Sequence, residues 1–250
     1  MNLGKYKIDR VYCEDSYIAI KNIPDKSVDL IVTDPPYLIE NTKAGGHNDF
    51  SRGGNKTIQS MNDQLEEGML TFSIREEILD EFMRVMKVPN IYIWCNHKQI
   101  PMYLNYFVEK HKCSFDIIIW DKSNAMPLFN NKYLTDKEYC LYFRKGGYCN
   151  PESYEEAKTV YYQPINIKDK KDFEHPTIKP INIIKTIIKN SSKENDIILD
   201  CFAGSGTTCV AAKDLNRHYI GFDIDKNWVK VANDRLDNIN TKGQYSFILK

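Results

Sequence analysis

The sequence predicts an α/β fold in which a largely parallel sheet carries helices on both sides. Two observations predict it. Short apolar runs alternate with amphipathic stretches along most of the 250 residues, the rhythm of strand–helix–strand units. One of those runs then ends in a glycine-spotted turn, Phe202-Ala203-Gly204-Ser205-Gly206-Thr207, that opens into a helical stretch. That join is how such sheets present a nucleotide-like ligand to a helix N-terminus.

The runs VDLIVTD (28–34), NIYIWCN (90–96), FDIIIWDK (115–122), EYCLYFRK (138–145), DIILDCF (196–202) and HYIGFDI (218–224) read as buried strands, with RVYCED (10–15) a shorter one. Between them, 72–87 places Ile74, Ile78, Leu79, Phe82, Val85 and Met86 on one helical face. Residues 98–111, 180–190, 206–215 and 226–238 are the other expected helices. Two segments break the rhythm. Residues 38–70 are polar and carry five glycines, and 146–175 mix prolines, tyrosines and charge. Loops of that length inside a compact domain tend to be functional.

A composition of 42% hydrophobic and 27% charged residues suits a globular chain, long enough to bury its core without disulfides. Acidic and basic residues balance at 34 each, so net charge does not announce a nucleic-acid partner. A basic cleft offset by acidic surface elsewhere is still compatible with one. The seven cysteines include no Cys-x-x-Cys pair, so no metal site is expected. Their odd number and irregular spacing favour the reducing cytoplasm. With no apolar leader and no run approaching 18 apolar residues, neither export nor a membrane span is expected.

The glycine turn lets a ligand approach the backbone closely. Nineteen residues after Gly204, Asp223 ends the next strand, where a carboxylate can accept from ribose hydroxyls. The third glycine of the dinucleotide fingerprint is replaced by Cys209, and no Gly-Lys-Ser/Thr follows. The loop therefore indicates a nucleotide-like cofactor without naming it.

The second constellation is Asp34-Pro35-Pro36-Tyr37, directly after the strand VDLIV. The two prolines fix φ, donate nothing, and keep the segment out of a helix. A carboxylate, a free carbonyl and a flat ring are thus held rigidly at a strand's carboxyl end. Such a pair of acceptors suits methylation of an aryl amine. Its lone pair is delocalised into the ring, and acceptors on its two N–H bonds pull the nitrogen toward tetrahedral geometry and free that pair. This is positioning and electrostatic work. Tyr37 can stack on a base that has left the duplex.

Together these residues resemble the DNA amino-methyltransferases in the permuted order that places the DPPY motif (34–37) before the FxGxG motif (202–206). YCEDSYIAIKNIPDKSVDLIVTDPPY and HPTIKP (175–180) match further blocks, and the resemblance covers nearly the whole chain. It implies a Rossmann-like, doubly wound, seven-stranded mostly parallel sheet with S-adenosylmethionine as cofactor. The implied catalytic residues are Asp34, Pro35, Pro36 and Tyr37. The implied cofactor-binding residues are Asp15, Lys179, Asp200, Phe202, Gly204, Ser205, Gly206, Thr207 and Asp223. His175 is placed at the edge of the cofactor site. One catalytic domain, 1–250, is expected, with 38–70 as a mobile loop and 146–174 as a short target-recognition segment. Lys43, Arg52 and Lys56 could meet phosphates; the lysines of 167–172 read first as a solvated loop, with phosphate contact the alternative.

The implied partner is double-stranded DNA read in a sequence-specific way. Members with this motif order are often homodimers and often work beside a cognate restriction endonuclease. DPPY goes with adenine N6 in this family and SPPY with cytosine N4. Because the chemistry is alike, cytosine N4 is the alternative. RNA or protein-glutamine methylation fits less well, since those enzymes carry NPPY behind their glycine loop. A cytosine-C5 enzyme would need a cysteine after a proline, and none of the seven stands there. A nicotinamide dehydrogenase would leave TDPPY idle, and a catalytically dead DNA-binding module would leave both motifs idle. Two departures from the family stand out: Cys201 replaces a usual proline, and Asp223 a commoner glutamate.

Overall fold

The computed structural model describes residues 1–37, 74–125, 133–165 and 178–238. The loop 38–70 with Lys43, Arg52 and Lys56, the lysines of 167–172, and His175 lie outside the described residues.

A small hairpin of β1 (Asn2–Leu3) and β2 (Tyr6–Lys7) leads into the main sheet. That sheet is built from β3 (Arg10–Cys13), β4 (Leu30–Thr33), β5 (Asn90–Cys95), β6 (Ser114–Asp121), β7 (Lys137–Arg144), β8 (Val160–Tyr162), β9 (Ile197–Asp200) and β10 (His218–Asp223). Their order across the sheet is β3-β10-β9-β4-β5-β7-β6-β8. Pairing is parallel from β3 to β5 and between β6 and β8, while β7 runs antiparallel to both β5 and β6.

All the expected strands are present, but the seven-stranded count falls one short among the described residues. The extra strand, β8, lies in the segment 146–174. Three residues between prolines and charges give no alternation to read, and β8 forms only because β6 offers an open edge.

Each face of the sheet carries its own apolar layer. One packs against α1 (Ser16–Ala19), α2 (Glu77–Val85) and α3 (Ile100–Tyr103), through Ile78, Phe82, Tyr103 and Phe107. The other packs against α4 (Ile181–Ser191), α5 (Thr207–Asp214) and α6 (Lys226–Asn238), through Ile184, Ile188, Val210 and Leu236. The helix expected over 98–111 changes character midway. Past Tyr103 it continues as a π-helical stretch, Leu104–Lys110. β4 and β5 are wholly buried, as strands covered on both faces must be. No described helix is long and apolar enough to cross a membrane.

The topology sets the location of the site. After β4 the chain crosses to β5 on one side, and after β9 it crosses to β10 on the other. Between β4 and β9 the connections diverge, and a crevice opens at the strands' carboxyl ends.

Candidate active site

β4 and β9 are hydrogen-bonded neighbours, with Leu30 beside Ile198 and Ile31 beside Leu199. The segments that begin at Asp34 and at Cys201 therefore leave from adjacent strands, although 168 positions separate Asp34 from Phe202 in the sequence. Asp200 joins the two exits. Its Oδ1 accepts from Thr33 Oγ1 at 2.9 Å and from the Phe202 N–H at 3.1 Å. It is 3% exposed. Burial pushes its carboxyl up to about 7 against the pull of those hydrogen bonds. Expected among the cofactor ligands, Asp200 holds the two loops together from beneath.

The glycine loop follows. Gly204 and Gly206 both take positive φ, 48° and 79°. Asp223, at the end of β10, accepts from the Gly204 N–H at 2.7 Å through Oδ2 and from the Asp225 N–H at 2.9 Å through Oδ1. Each oxygen keeps a lone pair for a ligand hydroxyl. Burial raises this carboxyl.

Asp15 caps α1 by accepting from the Tyr17 N–H at 2.8 Å. It follows closely on the end of β3, where Cys13 pairs with Asp223 and the Glu14 N–H donates to the Asp223 carbonyl at 3.0 Å. Ser16 donates to the Cys201 carbonyl and ties that cap to the strand entering the loop. Phe202 is half-buried, edge-on to Tyr17, whose other face carries the Arg75 guanidinium at 3.9 Å.

Ser205 and Thr207 turn their side chains inward. Arg235 of α6, itself 4% exposed, donates to the Ser205 carbonyl at 2.5 Å and lies 3.1 Å from Ser205 Oγ and 3.4 Å from Thr207 Oγ1. A Cβ on Gly206 would lie 2.8 Å from Ala232 Cβ. Gly206 is therefore required by helix packing as well as by its backbone angle, and not by ligand bulk alone.

These groups fit S-adenosylmethionine. The carboxylates of Asp15 and Asp223 come from the ends of neighbouring strands and could accept from an adenine amine and ribose hydroxyls, with the Phe202 ring and the N-terminus of α5 in the same loop cluster. Ile224, 60% exposed directly after Asp223, adds an apolar wall at the same rim. Its only sequence signal was its place next to the acidic strand end.

The DPPY motif emerges on the other side of the crevice. Gln99, 2% exposed, donates to the Pro36 carbonyl at 3.2 Å and accepts from the Asn96 N–H at 3.2 Å, pinning the motif to the turn after β5. The Pro35 carbonyl accepts no hydrogen bond among the described residues. Among the described residues Asp34 Oδ1 is buried without a hydrogen-bond partner, while Oδ2 pairs with Lys179.

Lys179, expected beside the cofactor, thus reaches the catalytic motif. Its Nζ also lies 3.2 Å from Glu138 of β7, and over the rings of Tyr37 and Trp94 at 5.3 Å each. Glu138 in turn pairs with Lys122 at 2.6 Å and accepts from Tyr37 Oη at 3.4 Å. Burial works against charge throughout this cluster. It raises Asp34, with Lys179 pulling back. Lys179 and Lys122 outweigh burial at Glu138 and hold it down at about 2. Asp34 and Glu138 outweigh it at Lys179, whose ammonium is raised. Glu138, Lys122 and Gln99 are not singled out individually by the sequence, although the family resemblance places the segments 116–127 and 138–146, which carry Lys122 and Glu138, along the target pocket.

Comparison with known proteins agrees with this geometry. A family model described as DNA methylase, for N6 and N4 enzymes, matches residues 28–234. The type II methyltransferase M2.LlaDCHI of Lactococcus lactis subsp. cremoris is 33% identical over 92% of this chain and 89% of its own length. The type II methyltransferase M.HpaI of Haemophilus parainfluenzae is 31% identical over 92% and 74%. The crystal structure of the M1.HpyAVI–SAM complex superposes with a TM-score of 0.64 at 25% identity, covering 91% of this chain and 98% of that one. The chain belongs to the N6/N4 DNA methylase family and is an S-adenosylmethionine-dependent DNA methyltransferase.

Proposed function

We propose that the enzyme methylates N6 of adenine, flipped out of a specific sequence in double-stranded DNA, as the modification partner of a restriction endonuclease in the cytoplasm. The observation that carries the reading is the divided Asp34 carboxylate. One oxygen is held by Lys179, and the other is buried with no hydrogen-bond partner among the described residues, beside the Pro35 carbonyl.

Those two acceptors are placed to receive the two N–H bonds of an exocyclic amine. They hold the nitrogen and disperse the positive charge that grows on it. Tyr37 offers its ring to the displaced base, and its phenol is anchored on Glu138. Asp15 and Asp223 would hold the adenosine end of the cofactor, with Phe202 and Ile224 as apolar neighbours. Gly204 supplies close backbone approach, and Asp200, Ser205, Gly206 and Thr207 shape the loop. When bound, S-adenosylmethionine supplies an electrophilic methyl group on sulfur. Target choice rests with 146–174, helped by 38–70. The type II names of the relatives support a paired endonuclease, the Asp-Pro-Pro-Tyr spelling supports adenine, and the all-free cysteines support a reducing compartment.

The test is transfer of labelled methyl from S-adenosylmethionine to duplex DNA, followed by digestion and separation of nucleosides. N6-methyldeoxyadenosine is the expected product. N4-methyldeoxycytidine would replace adenine by the alternative base, and label on RNA or protein but not on DNA would overturn the reading.

A further inference from the structure

Resting on Asp34 as the acceptor for the target amine, we propose that Glu138 is a positioning residue for methyl transfer. It shares the Lys179 ammonium with Asp34 and accepts from the Tyr37 hydroxyl, so that both flanks of the reacting amine are set by one carboxylate from β7.

The four charges form a line: Asp34, Lys179, Glu138, Lys122. Their side chains are 26%, 6%, 19% and 13% exposed, and the formal charges cancel. Charges withdrawn from water in this way cost stability unless each is paired, so the arrangement calls for a reason beyond packing. Without Glu138, Lys179 would give its whole charge to Asp34, and a fully paired carboxylate is a weaker acceptor for a neutral amine. With Glu138 present, the ammonium is shared. It holds Oδ2 in place and leaves Oδ1 unspent. Lys122 keeps Glu138 from turning fully onto Lys179. The Tyr37 hydroxyl rests on the same Glu138 oxygen that faces Lys179, so the ring and the ammonium are registered to one another.

The experiment compares four proteins in single-turnover methyl transfer: wild type, Asp34→Ala, Glu138→Gln, and Glu138→Gln combined with Lys122→Met. The last removes the carboxylate and its outer lysine together, so the cluster stays neutral. Affinity for S-adenosylmethionine and thermal stability are measured alongside. Glu138→Gln should lower the transfer rate by about 10- to 100-fold, the scale of a misplaced reacting group, with cofactor affinity within about twofold. The neutral double variant should regain stability but not the rate. Recovery of the rate with stability would mean that Glu138 only balances charge, and the inference would fall. Intact transfer by Asp34→Ala would instead sink the acceptor role on which it rests.

Discussion

The two sides of the crevice are built by different means. The cofactor side is backbone and short local contacts: two glycines with positive φ, an N-cap, and an aspartate satisfied by two nearby amides. Its residues come from two stretches, 15–17 and 200–223 with their flanks, and its shape rests on backbone hydrogen bonds within the chain. The amine side is a line of charged side chains drawn from 34, 122, 138 and 179, held by long-range pairing over rings. A common cofactor can be met by a fixed mould. Charge developing on one nitrogen calls for acceptors whose strength is tuned by neighbours.

If that division is right, substitutions on the two sides should fail differently. The largest effect is expected at Asp34→Ala, where turnover should fall by roughly 10³-fold or more while cofactor affinity changes little. Equilibrium binding and single-turnover transfer, measured on the same preparation, would separate the two. Transfer within tenfold of wild type would erase the distinction between the sides.

The joint between them makes a pH prediction. Asp200 titrates near 7 in the fold against an ordinary value of 3.8. Its folded form thus binds a proton more tightly than the unfolded chain does. The stability it contributes is complete below its ordinary value and is lost as pH rises through about 7. The stability difference between wild type and Asp200→Asn should therefore shrink from pH 4 to 7, by up to roughly 4 kcal/mol. Denaturant unfolding across that window measures it. A flat difference would show that Asp200 ionises normally and does not lock the two loops as a neutral acid.

The same contrast decides what the sequence revealed. Glycine spacing, a proline pair and a carboxylate at the next strand end are local signals, and they singled out both Asp34 and Asp223 as candidates. The continuous apolar runs marked β4, β5 and β9 because strands buried on both faces have no polar side. Residue patterns did not reveal that Lys179 meets Asp34 rather than lying only along the cofactor, since that meeting depends on where the chain entering α4 passes the end of β4. Glu138 stands in EYCLYFRK as the polar start of a strand and becomes part of the site only through sheet order. Arg235 reads as an ordinary helix charge, and its burial beneath Ser205 follows from the close approach of α6 to the glycine loop.

That close approach can be tested on the cofactor side alone. Gly206→Val places a Cβ against Ala232 at a backbone angle that β-branched residues avoid. A loss of about 3 kcal/mol in stability is expected, beyond any loss of cofactor binding. Combining Gly206→Ala with Ala232→Gly should relieve the contact but not the backbone strain, and so recover only part of the loss. Full recovery would show that packing alone demands the glycine.

The smallest effect is expected at Asp223→Asn, and it bears most directly on the difference between the two sides. The shape is kept, but one oxygen becomes an NH2 group facing either the Gly204 or the Asp225 amide, where both carboxylate oxygens now accept. A donor opposed to a donor costs about 1–2 kcal/mol, equivalent to about 10-fold weaker S-adenosylmethionine binding. Because Asp223 does not touch the amine pocket, the rate at saturating cofactor should stay within about threefold of wild type. Calorimetric titration gives the first quantity and single-turnover transfer the second. A fall in the saturated rate comparable to that of Glu138→Gln would mean that the mould and the charge line act as one unit, with the cofactor's pose set by both.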